Sequence, residues 1–149
     1  MEFLKKNYLV LLFFFMIGII CYDYFVRQDF KKNYKRNGEY AIGEIYGIKE
    51  YGRATGYYNL YLFKIGNKEY KGRSDGDLSF SEAPQNIGKR FLVLYLKTNI
   101  HNNALYVSIP VNDSIKSNSE LQKWISAHPE IKSKLDSIPG SGFFFENYF

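Results

Sequence analysis

The sequence is poor in the residues that form covalent cross-links and metal sites. It has one cysteine, Cys21, and two histidines, His101 and His128, among 149 residues. Because Cys21 has no second cysteine to pair with, no disulfide can form within the chain. Zinc sites need three or four ligands at characteristic spacings, and neither histidine has such neighbours. We therefore interpret both histidines as surface residues, and we predict no metal ion and no cofactor.

The motifs of the common enzyme classes are also missing. The chain has no nucleophile elbow, no phosphate-binding loop and no dinucleotide-binding fingerprint. The acidic stretch Asp75-Gly76-Asp77, with Glu82 beyond it, lacks the twelve-residue pattern of a calcium loop. We interpret this stretch as a solvated loop. The sequence therefore predicts a protein that is not an enzyme.

The most prominent feature that the chain does contain is a run of fifteen residues, Tyr8 to Tyr22, without a single charge. As a helix this run covers about 22 Å, and apolar flanking residues bring it close to the roughly 30 Å of a bilayer core. We predict that residues 1–26 form a membrane-anchoring helix. Aromatic and basic side chains mark membrane interfaces, and the residues predicted to lie there are Lys5, Lys6, Tyr8, Tyr22, Tyr24, Arg27, Lys31, Lys32, Lys35 and Arg36.

Three other interpretations of the run stay open. A cleaved signal peptide needs small residues around its cleavage site, whereas this run ends in the bulky Ile20-Cys21-Tyr22. A lipoprotein would carry its lipid on Cys21, but that chemistry prefers a small residue where the chain has Ile20. A buried core helix would be apolar along one stripe, and this run is apolar all round.

The positive charge is concentrated directly after the run. From Arg27 to Arg36 there are five basic residues and one acidic residue, which gives +4, whereas residues 37–149 carry 13 basic and 12 acidic residues, which gives +1. We predict that residues 27–37 form a basic juxtamembrane neck that contacts anionic lipid. Because the remainder of the chain is nearly neutral, we predict that it does not bind nucleic acid.

The basic residues after the run and its position near the N-terminus predict opposite orientations in the membrane. Five basic residues after the run favour a cytoplasmic C-terminal domain by the positive-inside count. A short N-terminus ahead of a signal-like segment instead favours export of the C-terminal domain. We predict a single-pass inner-membrane protein whose C-terminal domain is exported.

Residues 38–111 predict a small β domain of five antiparallel strands in a curled sheet or barrel. Gly66-Asn67 predicts a tight hairpin, and the stretch 90–96, apolar on both faces, predicts a doubly buried strand. The other strands are expected over 38–48, 57–65, from residue 68, and over 104–109, with a loop over 74–86 and a turn over 99–103. In the first strand, Tyr40, Ile42, Tyr46 and Ile48 alternate with Ala41, Gly43, Ile45 and Gly47.

Residues 112–149 predict a helical and aromatic extension. Asn118 or Ser119 can cap a short helix in which Leu121, Trp124 and Ile125 share a face, and Pro129 can begin a second one. The stretch Phe143 to Phe149 is strongly aromatic. We expect its rings to cover a sheet edge or a core opening, with a membrane or partner contact as the alternative.

Several of these segments resemble a family of small membrane-anchored bacterial proteins of unknown function. The likeness covers roughly residues 1–115 and lies in Asn37-Gly38-Glu39-Tyr40-Ala41-Ile42-Gly43-Glu44-Ile45, in Ile65-Gly66-Asn67-Lys68-Glu69-Tyr70-Lys71-Gly72 and in Ile87-Gly88-Lys89-Arg90-Phe91-Leu92-Val93. The chain departs from the family pattern at Asn99-Ile100, where the family has Asn-Pro. The resemblance implies an anchored small β domain and carries no activity.

Taken together, these patterns favour a non-catalytic interaction or accessory module anchored at the bacterial envelope, with membrane lipid and an envelope protein as partners. The alternative is a barrel that binds a small ligand or a partner through its tyrosines, Tyr51, Tyr57, Tyr58 and Tyr61. A hydrolase with an unrecognised site is the third and less favoured hypothesis.

Overall fold

A computed structural model describes residues 2–51, 56–75 and 83–135. In chain order its elements are α1 (Glu2–Asn37), β1 (Gly38–Tyr51), β2 (Gly56–Ile65), β3 (Lys68–Asp75), a short 3₁₀ turn (Ala83–Asn86), β4 (Arg90–Leu96), β5 (Asn99–Pro110), α2 (Asn118–Ala127) and α3 (Pro129–Leu135). The predicted fold class is confirmed: an apolar N-terminal helix, a curled five-stranded antiparallel sheet and short C-terminal helices.

The sheet has the order β3-β2-β1-β4-β5, and its edge strands β3 and β5 approach each other as the sheet curls. The predicted hairpin is confirmed, because Ile65 pairs with Lys68 and Gly66 adopts φ +59°. That backbone conformation favours glycine. A close approach between strands occurs at Gly43, where an added Cβ would lie 2.4 Å from Val93 Cγ2.

Two apolar clusters lie on opposite faces of the sheet, and β4 contributes to both, as its two apolar faces predict. The inner core lies inside the curl and contains Phe91, Val93 and Tyr95 with Ala41, Ile45, Tyr61, Phe63 and Leu105. The outer core contains Leu92, Leu94 and Leu96 with residues of β5 and all three helices. The C-terminal helices therefore share a core with the β domain.

Four local predictions were wrong. The segment 99–103 is not a turn, because β5 begins at Asn99 and the chain turns at Lys97-Thr98. The extra residues of β5 are absorbed by an irregularity in the ladder, where Leu96 pairs with Asn99 but Tyr95 pairs with Asn103. Polar asparagines in sequence resemble a turn, although here Asn103 is buried by its position in the curl.

The second error concerns the faces of β1. A bulge places Tyr46 between Ile45, which pairs with Tyr61, and Gly47, which pairs with Leu60. One extra residue inverts the alternation that follows it, so Gly47 moves to the outer face and Ile48 to the inner face. Tyr46 itself is 45% exposed.

The third error is the cap of α2, which is Ser117 and not Asn118 or Ser119. The Ser117 hydroxyl accepts a hydrogen bond from Glu120 N at 3.2 Å, and Glu120 Oε2 accepts one from Lys116 N at 2.7 Å. This reciprocal pattern is close to a capping box. The predicted loop over 74–86 also begins later, since Ser74 and Asp75 belong to β3. Residues 76–82 and 136–149, which include Asp77, Glu82 and the aromatic stretch Phe143 to Phe149, lie outside the described residues.

Candidate functional site

The N-terminal half of α1 presents its apolar side chains to the surroundings on every side. Apart from Ile19, which is half-buried, its large apolar side chains from Tyr8 to Phe25 are 40–69% exposed. The most apolar 18-residue window has a mean hydropathy of 2.4, and none of it is buried within the protein. This helix is therefore long and apolar enough to cross a membrane. A water-soluble core helix would instead be covered by the rest of the protein.

The last turns of α1 belong to the β domain. The helix continues without a break through residues 27–37, where Phe30 is 1% exposed and Tyr34 packs beside it in the outer core. Lys32 and Arg36, four residues apart, lie on the opposite side of the helix, and both are exposed. The predicted neck is thus a helical connection that is fixed to the sheet.

The structure describes the side chains of some of the residues predicted to lie at the membrane interface. Tyr8, Tyr22 and Tyr24 are exposed, as are Lys32, Lys35 and Arg36, and the Lys35 ammonium lies 5.7 Å from the centre of the Tyr34 ring. Basic residues in the last turn of a helix also complement its dipole. The side chains of Lys5, Lys6, Arg27 and Lys31 lie outside the described part of the structure.

The tyrosines proposed as a ligand or partner surface do not share one surface. Tyr57 and Tyr61 point into the curl and are 2% and 0% exposed. Tyr58 lies on the outer face, where the Arg73 guanidinium sits 5.1 Å from its ring centre. For Tyr51, which ends β1, no side chain is described. The tyrosine pattern therefore reflects strand alternation: Tyr61 belongs to the inner core, and Tyr57 is buried on the same face of β2.

The Tyr61 ring lies at the centre of the curl, where its hydroxyl is hydrogen-bonded to Asn103. The Tyr61 hydroxyl donates to Asn103 Oδ1 at 2.5 Å, which joins β2 to β5 across the interior. Asn103 Nδ2 in turn donates to the carbonyls of Ile100 and His101, at 2.8 and 3.2 Å. The Tyr61 ring lies against Gly72, where an added Cβ would be 2.3 Å from Tyr61 Cζ. Burial raises the pKa of Tyr61, so its hydroxyl stays protonated.

One end of the curl carries a small charged cluster. Lys97 Nζ lies 2.5 Å from Glu39 Oε1, and the Tyr95 hydroxyl donates to Glu39 Oε2 at 2.7 Å. The hydrogen bond from Lys97 lowers the pKa of Glu39, while desolvation and then the bond to Glu39 raise the pKa of Tyr95. The pKa of Glu39 therefore moves further below 7 and the pKa of Tyr95 further above it. At pH 7, Glu39 is ionised and Tyr95 is protonated.

At the other end, three buried polar side chains carry an atom that has no hydrogen-bond partner among the described residues. They are Asn59 Oδ1, Ser74 Oγ and Asn86 Nδ2, on residues that are 1%, 8% and 6% exposed. Asn59 pairs directly with Ser74 and with Ile48 across the ladders, so these side chains share the inner face. Directly opposed side chains on one face have Cβ atoms about 4.5–5.5 Å apart.

Asn86 lies in the 3₁₀ turn, which packs against β1. The following residues tie the turn to Ile45: Gly88 N donates to Ile45 O at 2.8 Å, and Ile45 N donates to Lys89 O at 3.2 Å. Buried polar groups are nearly always hydrogen-bonded, so these atoms, which have no partner within the described part of the chain, mark a candidate place for water or a polar ligand. Sequence reasoning missed these residues, although a polar Asn59 between Tyr57 and Tyr61 was a signal.

The residues considered for catalysis do not converge. His101 is exposed on β5, whereas His128 follows α2 with its Nδ1 2.7 Å from Trp124 O. Among the described residues, no group of three or more His, Cys, Asp or Glu side chains is placed to hold a metal ion. The Asp75 side chain lies outside the described part of the chain, as do Asp77 and Glu82.

No protein family, curated protein or solved structure matches this chain. The resemblance to small membrane-anchored bacterial proteins therefore stays a prediction.

Proposed function

We propose that the protein is a single-pass membrane protein whose β domain is a non-catalytic interaction or accessory module at the bacterial envelope. The observation that carries this proposal is the division of α1. Its first part is apolar all round and uncovered, while Phe30 and Tyr34 in its last turns are built into the outer core. A helix of this kind would hold the domain rigidly against a bilayer.

The charges at the end of α1 support the same placement. Lys32, Lys35 and Arg36 are exposed just beyond the apolar segment. Each basic residue beside an anionic membrane surface contributes about 1 kcal/mol of binding. We propose that these residues contact lipid headgroups, that the membrane is the inner membrane, and that the β domain is exported.

The anchor is tested with two arginines in the middle of the apolar segment, Phe14→Arg and Ile17→Arg. Each arginine at a helix centre costs about 2.5–3.5 kcal/mol of insertion, so the variant should leave the membrane pellet in alkaline carbonate. The matched control, Tyr46→Arg, places a new charge on the exposed bulge of the β domain and should stay in the pellet. A wild-type protein found in the carbonate supernatant would contradict the proposal.

Sidedness needs its own measurement. Protease added to intact spheroplasts should digest an exported β domain and should spare a cytoplasmic one. Permeabilised spheroplasts show that the domain can be digested at all. Protection in intact spheroplasts would overturn export while leaving the anchor in place.

A small-ligand site is the second candidate, because Asn59 and Ser74 lie opposite each other on the inner face and each carries a buried polar atom with no partner among residues 2–51, 56–75 and 83–135. The test replaces the register pair by apolar residues of similar size, Asn59→Leu with Ser74→Val. Native mass spectrometry of protein purified from its membranes should show a bound species of constant mass that this variant loses. Two results together would contradict a ligand site: no bound species, and a variant at least as stable as the parent. Asn59 and Ser74 would then be buried polar residues without a ligand.

A further inference from the structure

The kink in α1 sets where the helix would leave a bilayer. Asn7 has a φ of −117° and a ψ of 15°, which are not helical, so the straight part of the helix begins at Tyr8. A helix needs about 20 residues to cross the roughly 30 Å of hydrocarbon. Counted from Tyr8, that length ends at Val26 or Arg27, and the one charge before this boundary, Asp23, lies within a turn of it.

The part of α1 that the β domain covers begins almost directly beyond this boundary. Phe25 is 69% exposed and Phe30 is 1% exposed, and the five residues between them correspond to about 7.5 Å along the helix. The headgroup layer of one leaflet is about 5–7.5 Å thick. Side chains on a helix lean toward its N-terminus, so the Phe30 ring and the atoms that cover it extend back toward the bilayer. The covered part of α1 therefore starts within the headgroup layer.

The residues that share a core with Phe30 include an accessible tryptophan. Leu121 and Ile125 of α2 belong to the outer core with Phe30, and Trp124 packs against the same cluster. The Trp124 ring is only half-buried, and its centre lies 5.3 Å from that of the His128 ring. Tryptophan is enriched at membrane interfaces because it combines an apolar ring with a polar N–H. Trp124 is therefore suited to a position among lipid headgroups.

We propose that the outer-core side of the β domain, where Trp124 lies, is a second lipid-contact surface, seated in the headgroup layer of the membrane. This inference rests on the proposed anchoring of α1 and adds a contact that the domain itself makes. A domain on a flexible tether would turn freely away from the bilayer. Here the helix has no break between Val26 and Asn37, and Phe30 fixes it to the domain, so one side of the domain faces the lipid.

The test uses the single tryptophan as a depth probe. Full-length protein is reconstituted into vesicles of phosphatidylcholine and phosphatidylglycerol that carry a nitroxide either on the lipid headgroup or near the end of an acyl chain. The headgroup nitroxide should quench Trp124 more strongly than the acyl-chain nitroxide does. The positive control is Phe25→Trp in a Trp124→Phe background, because Phe25 is exposed at the hydrocarbon boundary and lies within reach of the headgroup label.

An insertion separates the seating of the domain from the anchoring of the helix. Seven helix-forming residues between Val26 and Arg27 add about two turns, so the domain rises by about 10 Å and keeps nearly the same orientation about the helix axis. The insertion changes neither the apolar segment nor the residues that pack in the outer core. Because of the greater distance, headgroup quenching of Trp124 should fall by about twofold or more.

Three results would overturn the proposal. They are a Trp124 that the headgroup label leaves unquenched while it quenches Phe25→Trp, equal quenching of Trp124 in the parent and the insertion variant, and stronger quenching of Trp124 by the acyl-chain label. Carbonate extraction of the same vesicles tests α1 separately. Protein released by carbonate would refute the anchor, whereas retained protein with an unquenched Trp124 would refute the seating alone.

Discussion

The hydrogen bond between Tyr61 and Asn103 yields the sharpest prediction about the forces that hold the curled sheet together. Tyr61→Phe removes one oxygen atom and keeps the ring that fills the space above Gly72. Because Tyr61 is fully buried and Asn103 is 1% exposed, no water replaces the lost hydroxyl at Asn103 Oδ1. Leaving a buried acceptor unsatisfied costs about 1–3 kcal/mol, and we expect the free energy of unfolding to fall by that amount.

The assay is equilibrium unfolding of the full-length protein by urea in a non-ionic detergent. The single tryptophan, Trp124, packs against the outer core and reports loss of the fold through its emission. Tyr46→Phe serves as the matched control, since the same oxygen is removed from a ring that is 45% exposed. We expect the control to stay within about 0.5 kcal/mol of the parent.

A double-mutant cycle with Asn103→Ala isolates the contact. Asn103→Ala alone should cost more than Tyr61→Phe, because it also removes the hydrogen bonds to the carbonyls of Ile100 and His101. Adding Tyr61→Phe to Asn103→Ala should then cost little, because it removes a hydroxyl that has already lost its acceptor. Equal stability of Tyr61→Phe and the parent, or strict additivity in the cycle, would refute the reasoning.

Three further perturbations test contacts in the same domain. Gly72→Ala should destabilise the fold by about 1–3 kcal/mol in the same urea assay, because its Cβ would lie 2.3 Å from Tyr61 Cζ. Phe30→Ala should cost about 3–5 kcal/mol, because it empties the place where α1 joins the outer core. Glu39→Gln should remove part of the acid sensitivity: the lowered pKa of Glu39 means that its contribution is present above pH 4.5 and is lost as the pH falls through the lowered value. Since the Glu39 side chain is 38% exposed, that contribution is below about 1 kcal/mol. The urea midpoint of the parent should be higher than that of the variant at pH 7, and the two midpoints should converge at acidic pH.

Two of these perturbations have a control within the chain, and the third has a clear contradicting outcome. Gly47→Ala adds a methyl group whose nearest neighbour is 3.9 Å away, so it should be close to neutral. Phe25→Ala acts on the same helix as Phe30 at a side chain that is 69% exposed, and it should leave the β domain as stable as before. A Glu39→Gln variant that loses as much stability as the parent between pH 7 and acidic pH would show that this carboxylate does not contribute to the acid sensitivity.

The elements that depend on local chemistry were predictable from the sequence. Fifteen consecutive uncharged residues with apolar flanks predict a helix close to bilayer length, and Gly66-Asn67 predicts a two-residue turn because glycine tolerates positive φ. The apolar faces of the stretch 90–96 predict a strand buried on both sides. In each case the deciding information lies within a few residues of the chain.

The tertiary structure decided the features that depend on register and on the curl of the sheet. Asn103 looked like a turn residue, yet it is a core residue because the curl brings Tyr61, 42 positions earlier, to within hydrogen-bond distance. The bulge at Tyr46 inverted the faces that simple alternation predicts beyond it. Asn59 and Ser74 are separated in the chain and lie opposite each other only because β2 pairs with β3 in this register. A side chain's partner across a curled sheet is set by strand pairing and shear, and no local pattern in the sequence records either of them.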